Sequence, residues 1–223
     1  FPIVILGFHF FNFFSSNFAL LFLSISSLIF YSWDQPQYVF ILIYVVLISW
    51  IMGNLIRISE NKKKSLLVCS IILILLPLIF YKYLYFIISN INLIFFSVSF
   101  EVVPENIIFK AKSIILPIGI SFYTFQSISY LVDIYTGQIK DKNNFIKYSA
   151  YVTMFPQLVA GPIVRFKEIS NQLINPHITS DNIRIGTYFF IIGLTKKVLI
   201  ADTLAPFVDL IFDGENNNIY NFY

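Results

Sequence analysis

Charged side chains are scarce in this sequence. Asp, Glu, Lys and Arg together make up 12% of the residues, about half of the roughly 25% that is usual in soluble domains. Hydrophobic residues make up 57%, and the mean hydropathy is +0.77. This balance excludes an ordinary soluble globular domain and indicates an integral membrane protein. The net charge of +3 comes from scattered Lys and Arg, which gives no basis for nucleic-acid binding.

Cysteine and glycine are also sparse. The one cysteine, Cys69, excludes a disulfide within the chain and, in its apolar run, is expected to be a buried hydrophobic residue. Eight glycines stand against 26 phenylalanines, so aromatic bulk rather than small-residue packing should dominate between helices. The motifs GxSxG, HExxH, paired CxxC and the P-loop are missing. Soluble hydrolase chemistry and a metal site are therefore not predicted.

Four stretches are long and apolar enough to cross a bilayer, which takes about 20 residues. They are residues 13–33, 36–56, 65–88 and 114–135. Residues 1–11 are too short to cross and are expected to be the end of a helix. The pattern predicts an all-α, polytopic integral membrane protein with a single domain over residues 1–223.

Loop charge predicts the orientation of these spans. Residues 57–64, RISENKKK, carry four basic side chains and one acidic one, so this loop should face the cytoplasm. Residues 136–147 carry Lys140, Lys142 and Lys147 against Asp141, which agrees. Residues 34–36 and 90–105 should then face the outside.

A simple crossing by residues 145–164 conflicts with this charge rule. It would carry Arg165, Lys167 and Arg184 to the outer face. Pro156 and the pair Gly161–Pro162 also interrupt any continuous helix. We therefore predict a re-entrant, broken segment that returns to the cytoplasmic side, where irregular backbone must line a cavity or lie against protein.

The sequence after the broken segment predicts shorter elements. Residues 166–183 are polar enough to form an amphipathic helix and loop on the cytoplasmic surface, and Thr179 or Ser180 can cap the next helix. That helix, residues 185–194, is too short to span before Lys196 and Lys197. Half-helices or steeply tilted elements are expected here.

The candidate site residues are polar groups within these membrane segments. Tyr123, Gln126, Tyr130 and Asp133 are spaced i, i+3, i+7 and i+10, which places them on one face of a helix. They either line a cavity or form interhelical hydrogen bonds, typically worth about 0.6 kcal/mol each in membranes. Arg165 either anchors the interface or binds a phosphate or carboxylate through its planar fork. The substrate-binding candidates are Gln126, Asp133, Gln157 and Arg165.

The two histidines are weak catalytic candidates. His9 lies among aromatic residues and His177 lies beside Pro176, and neither shows a partner by spacing that would make it a general base. We expect His177 to be an exposed loop residue and His9 to be structural. No catalytic residue is assigned.

Several long motifs resemble the membrane-bound O-acyltransferase (MBOAT) family, in its alginate O-acetyltransferase branch. They are LPIGISFYTFQSISYLVDIYTG, NFIKYSAYVTMFPQLVAGPIVRFKEISNQL and GLTKKVLIADTLAPFVD, and the likeness extends to FYSWDQPQYVFILI. The residues that match the family scaffold are Gln126, Asp133, Pro156, Gln157, Gly161, Pro162 and Arg165. The resemblance covers nearly the whole chain.

The resemblance implies spanning and re-entrant helices around a tunnel, in a multi-pass protein of the bacterial plasma membrane. An acetyl group would pass through it to an exported or cell-surface polysaccharide such as alginate. The implied partners are the lipid bilayer, a periplasmic or membrane-attached acetyltransferase and the polysaccharide acceptor. No bound cofactor is implied; the acyl donor is left open, with acetyl-CoA as the candidate.

The family's catalytic histidine lies in a later membrane segment, beyond the equivalent of Tyr223. The resemblance therefore implies that residues 1–223 are the amino-terminal part of the domain and are inactive alone. Three other interpretations stay open: a D-alanyl-transfer protein of teichoic acid modification, a transporter or flippase subunit, and a structural assembly subunit. A histidine in a downstream membrane segment of the full-length gene would favour acyl transfer.

Overall fold

The structure is a computed structural model that describes residues 2–96, 104–139, 144–159, 161–176 and 179–212. Within those ranges every regular element is a helix. The chain divides into two compact units, Phe1–Pro176 and His177–Tyr223. His177, Lys140, Asp141 and Lys142 lie outside the described residues, so the expectations for them stay predictions.

The first unit is a helical bundle built from ten helices within the described ranges. In chain order they are α1 (Pro2–Phe14), α2 (Ser16–Asp34), α3 (Val39–Ile58), α4 (Lys63–Leu78), α5 (Leu84–Phe96), α6 (Glu105–Lys112), α7 (Ile120–Tyr135), α8 (Phe145–Thr153), α9 (Phe155–Leu158) and α10 (Phe166–Ile174). A 3₁₀ turn, Pro36–Tyr38, precedes α3, and a π turn, Ile79–Tyr83, joins α4 to α5.

Three helical stretches are long and apolar enough to cross a membrane, and they confirm the first three predicted spans. They are Ser16–Trp33, Pro36–Ile58 and Lys63–Ile91. The chain turns between the first two because Gln35 leaves the helical region and Pro36 starts the next turn, where its missing N–H is not needed. Pro77 lies inside the third stretch, and the π turn that follows it keeps the chain helical.

Cys69 is exposed on α4, so the expectation that it is buried was wrong. Within Lys63–Ile91, only Ser70, Ile74 and Leu78 are buried in the protein. Most side chains of this stretch therefore face outward, where a membrane surrounds them with lipid. An apolar run in such a helix says nothing about contact with protein, because lipid tails are as apolar as leucine.

The fourth predicted span, residues 114–135, is wrong at its start. The helix α7 begins only at Ile120, because Gly119 adopts a left-handed conformation with φ of 72°. A 16-residue helix is about 24 Å long, shorter than the roughly 30 Å hydrocarbon core. Helix α7 packs instead against α3, α4 and α8, and nine of its side chains are buried.

Contacts between helices fix their directions. The Tyr38 hydroxyl donates to the Ile115 carbonyl at 2.9 Å, and a Cβ added to Gly53 would meet Ile134, so α3 and α7 run parallel. Tyr38 also packs on Tyr81, with 5.5 Å between ring centroids, so α4 runs antiparallel to both. The carboxyl ends of α3 and α7 and the start of α4 therefore share one end of the bundle, which we call the basic end because Arg57 and Lys63 lie there.

The second unit contains one unbroken helix rather than the expected half-helices. It consists of α11 (Ser180–Thr195), a π turn (Lys196–Ala201) and α12 (Asp202–Phe212). The Thr179 side chain accepts from the Asn182 N–H at 3.2 Å, which confirms it as the cap. Lysines do not interrupt a helix, and Lys197 pairs with Asp202 at 2.6 Å on the same helix.

A re-entrant segment as the candidate functional site

The polar stripe predicted on α7 is confirmed as a single buried face. Tyr123, Gln126, Tyr130 and Asp133 are each at least 96% buried. Thr124 and Ser127 on the same helix are also fully buried. Because unpaired polar groups are expensive away from water, α7 needs polar neighbours along this face.

Helix α8, which packs on α7, runs into the bundle beside α2. Asn144 contacts Asn17 at 3.4 Å, the Ser149 hydroxyl contacts that of Ser24 at 3.3 Å, and the Phe155 N–H donates to the Ser27 hydroxyl at 3.2 Å. Each step along α8 thus pairs with a later residue of α2. The two helices enter the bundle in parallel from the same end.

The segment breaks after Thr153. Met154 leaves the helical region, with ψ of 107°, and Pro156 opens the single turn of α9. The tip of the segment then lies against Gly119, where an added Cβ would stand 2.4 Å from the Leu158 carbonyl oxygen. Glycine is required there both for the positive φ and for this close approach.

After α9 the chain returns to the end of the bundle at which α8 begins. The Tyr151 hydroxyl donates to the Val164 carbonyl at 2.8 Å. Phe166 packs on Tyr130 with 5.3 Å between ring centroids, and Lys147 lies 5.5 Å from the centre of the Phe166 ring. Lys167 also donates to the Gln138 side chain, just beyond the end of α7. The predicted break and return are therefore confirmed as geometry, and Arg165 and Lys167 lie at the basic end.

Two glutamines hold the break in place. The side-chain amides of Gln126 and Gln157 both donate to the Tyr151 carbonyl oxygen, at 3.1 and 2.8 Å. In a continuing helix this carbonyl would accept from the Phe155 N–H, which instead donates to Ser27. The glutamines replace that lost bond, so their amide groups cap a buried helix end.

Asp133 and Arg165 meet about two helical turns beyond Gln126, towards the carboxyl end of α7. Their Oδ1 and Nη1 atoms are 3.9 Å apart, and the side chains are 3% and 51% exposed. That distance is an ion pair but too long for a hydrogen bond. Within the part of the chain that the structure describes, no donor reaches the buried Oδ2 atom of Asp133.

The four predicted binding residues thus fall into two pairs along the re-entrant segment. Sequence reasoning missed three groups that hold this segment. They are the Tyr151 carbonyl, which accepts from both glutamines, the Ser27 hydroxyl, which accepts from the Phe155 N–H, and the Tyr148 hydroxyl, which donates to Ser49 at 2.6 Å. The available signal was the i, i+3 spacing of Ser24 and Ser27, which places two hydroxyls on one face of an apolar helix. His9 is exposed on α1, and the described residues contain no cluster of three metal-binding side chains.

The fold combines helices that can span a membrane with a polar segment that enters and leaves at one end of the bundle. These features define a polytopic membrane protein with a re-entrant segment as its candidate site. The family model described as "MBOAT, membrane-bound O-acyltransferase family" matches residues 138–222, which include the broken segment. No solved structure gives a significant match.

Curated relatives extend the similarity to most of the chain. "Probable alginate O-acetylase AlgI" from Pseudomonas aeruginosa is 36% identical over 199 residues, which cover 88% of this chain and 37% of the relative. The protein of the same name from Azotobacter vinelandii is 35% identical over 190 residues, covering 84% and 37%. A "Peptidoglycan O-acetyltransferase" from Helicobacter pylori is 32% identical over 247 residues, covering 95% and 44%.

The chain is therefore similar to the membrane-bound O-acyltransferase family over residues 138–222, and to these relatives over most of its own length. It spans less than half the length of the relatives that it matches. The names of these relatives are those of an alginate O-acetylase and a peptidoglycan O-acetyltransferase.

Proposed function

We propose that the protein to which these residues belong transfers an acetyl group to hydroxyls of an exported or cell-surface polysaccharide. The observation that carries this proposal is the re-entrant segment, which enters from the basic end, reaches Gly119 at the opposite end of α7 and returns. Such a segment brings polar backbone across most of the bundle, beside the buried polar face of α7. An acyl group passing between two aqueous faces needs a path of this kind.

The acyl donor would reach the segment from the cytoplasm, because the basic end faces that side under the positive-inside rule. Acetyl-CoA is our candidate donor. The acceptor would lie on the opposite face of a bacterial plasma membrane, where a periplasmic or membrane-attached acetyltransferase completes the transfer. Alginate and peptidoglycan are the acceptor polymers suggested by the names of the relatives.

The two residue pairs would have different roles. Arg165 is half exposed beside a buried carboxylate, so its guanidinium can contact an anionic group of the donor. The Oδ2 atom of Asp133, which has no hydrogen-bond partner among the described residues, can accept a hydrogen bond from an N–H or O–H group of the acyl donor. The side-chain amides of Gln126 and Gln157 each donate a hydrogen bond to the Tyr151 carbonyl, so these two residues would hold the segment in position.

The experiment uses the full-length protein in cells that lack the endogenous gene, with the acetyl content of the exported polysaccharide as the readout. We expect acetylation to disappear on deletion and to return with the wild-type gene. Arg165→Lys keeps the charge but loses the planar fork, and should lower acetylation on the order of tenfold at normal protein abundance.

Arg184→Lys is the matched control. Arg184 is also paired with an aspartate, Asp181 at 3.5 Å, but both side chains are about 80% exposed, so its replacement should change nothing. Full acetylation in the deletion strain would refute the proposed activity. Full acetylation with both Arg165→Lys and Gln157→Ala would show that the segment is scaffold alone.

A further inference from the structure

A shallow groove of about 690 Å³ lies along the outward face of α4 at the basic end. Its lining changes from polar to apolar along the helix. Polar side chains form the end nearest the α3–α4 loop: Asn61, Lys62, Lys64 and Ser65. Apolar or sulfur-bearing side chains form the rest: Val68, Cys69, Ile72 and Leu73.

The dimensions of the groove match one leaflet of a bilayer. From Ser65 to Leu73 the helix rises about 12 Å, close to the roughly 15 Å of hydrocarbon in each leaflet. A chain lying on Val68, Cys69 and Ile72 would therefore have its polar end level with Lys62 and Lys64. Among the described residues, neither lysine is within 4 Å of a carboxylate.

The charge at the polar end favours an anion. Arg57, Lys62, Lys63 and Lys64 face a single acidic residue, Glu60, in this loop. Lys62 and Lys64 line the groove itself, so an anionic headgroup would meet two positive charges there.

We propose that this groove binds an anionic phospholipid of the leaflet at the basic end. The phosphate would lie at Lys62 and Lys64, and one acyl chain would lie along Val68, Cys69 and Ile72. Basic residues immediately cytoplasmic of a spanning helix attract anionic lipids in this way, and salt screens the attraction. The site is separate from the re-entrant segment and does not depend on the proposed acetyl transfer.

The test measures lipid preference at the groove in the full-length protein, reconstituted in vesicles of phosphatidylglycerol and phosphatidylcholine. A fluorophore is attached at Leu76→Cys, which is on the same face one turn beyond Ile72, in a Cys69→Ser background. Quenching by brominated phosphatidylglycerol is compared with quenching by brominated phosphatidylcholine. A fluorophore at Ile25→Cys, exposed on α2, reports general bilayer lipid.

We expect a phosphatidylglycerol preference on the order of 25-fold at Leu76→Cys and none at Ile25→Cys, since each of the two lysines contributes about fivefold. Lys62→Ala with Lys64→Ala should abolish the preference, while Lys82→Ala at the opposite end should leave it intact. Val68→Trp fills the apolar part without touching the charges, and should also weaken it.

Three results would overturn the proposal. Equal preference at the two fluorophore positions would mean that the groove does not select lipid. A preference unchanged by the double lysine replacement and by Val68→Trp would place the selection elsewhere. Weak quenching by either lipid at Leu76→Cys alone would mean that another segment of the protein covers the groove.

Discussion

Helices α4 and α7 belong to one bundle but differ in what surrounds their side chains. Helix α4 and its continuation are long, apolar and mostly outward-facing, so a membrane can supply their surroundings. Helix α7 is shorter than the hydrocarbon core and carries a buried polar face that lipid could not satisfy. The difference shows where specific contacts matter, because α7 is enclosed by α3, α4 and α8, while α4 buries one side only and leaves the other outward-facing.

The largest expected effect lies where α7 begins. Gly119→Ala adds a Cβ at 2.4 Å from the Leu158 carbonyl oxygen in a residue with φ of 72°. Gly137→Ala is the matched control, because its φ is 73° but no atom lies within 4 Å. Left-handed strain costs both about 1–2 kcal/mol, and the clash should add about 1–3 kcal/mol for Gly119 alone. Thermal unfolding of the purified full-length protein measures the difference, and equal losses would contradict the close packing of the tip.

A second contrast lies within α4 itself. Ile74 is fully buried and Ile72 is 55% exposed. Ile74→Ala should destabilise the protein by about 2 kcal/mol or more because it leaves a cavity, whereas Ile72→Ala should cost less than about 0.5 kcal/mol. The same unfolding measurement compares them. A larger loss for Ile72→Ala would show that another part of the protein packs on the outward face.

The smallest effect is a coupling between the two glutamines. Gln126→Ala or Gln157→Ala removes one hydrogen bond, worth about 1 kcal/mol, and leaves the other amide on the Tyr151 carbonyl. The double replacement leaves that buried carbonyl without either amide, so its cost should exceed the sum of the single costs by about 1 kcal/mol. A double-mutant cycle measures this coupling. Strict additivity would mean that the two amides act independently.

The same contrast explains what the sequence could and could not predict. Spans such as residues 36–56 follow from length and apolar composition, and the stripe from Tyr123 to Asp133 follows from helical spacing. The late start of α7 was missed because residues 114–119 are as apolar as the helix that follows them. The left-handed turn at Gly119 is packed against Leu158, which is distant in the sequence. Lys196 and Lys197 suggested a helix end, although charge alone does not interrupt helical hydrogen bonds.

The sequence was sufficient to predict which residues belong to the candidate site, but not which of them contact one another. Pro156, Gly161 and the loop charges were sufficient to predict a broken segment that returns. That Gln126 and Gln157 share one carbonyl follows only from where the break places the Tyr151 oxygen, since the two residues are far apart in sequence. Long-range pairs of this kind leave no spacing pattern in a single chain.

The re-entrant segment, residues 145–166, is expected to enter and leave at the same face of the membrane. Single cysteines at Lys167, Lys63 and Gln37, in a full-length protein otherwise free of cysteine, are treated in intact cells with an impermeant thiol reagent. A segment that returns should give labelling at Gln37→Cys alone, with Lys63→Cys and Lys167→Cys reacting only after permeabilisation. Labelling of Lys167→Cys together with Gln37→Cys, while Lys63→Cys stays protected, would show that the segment crosses the membrane and is not re-entrant.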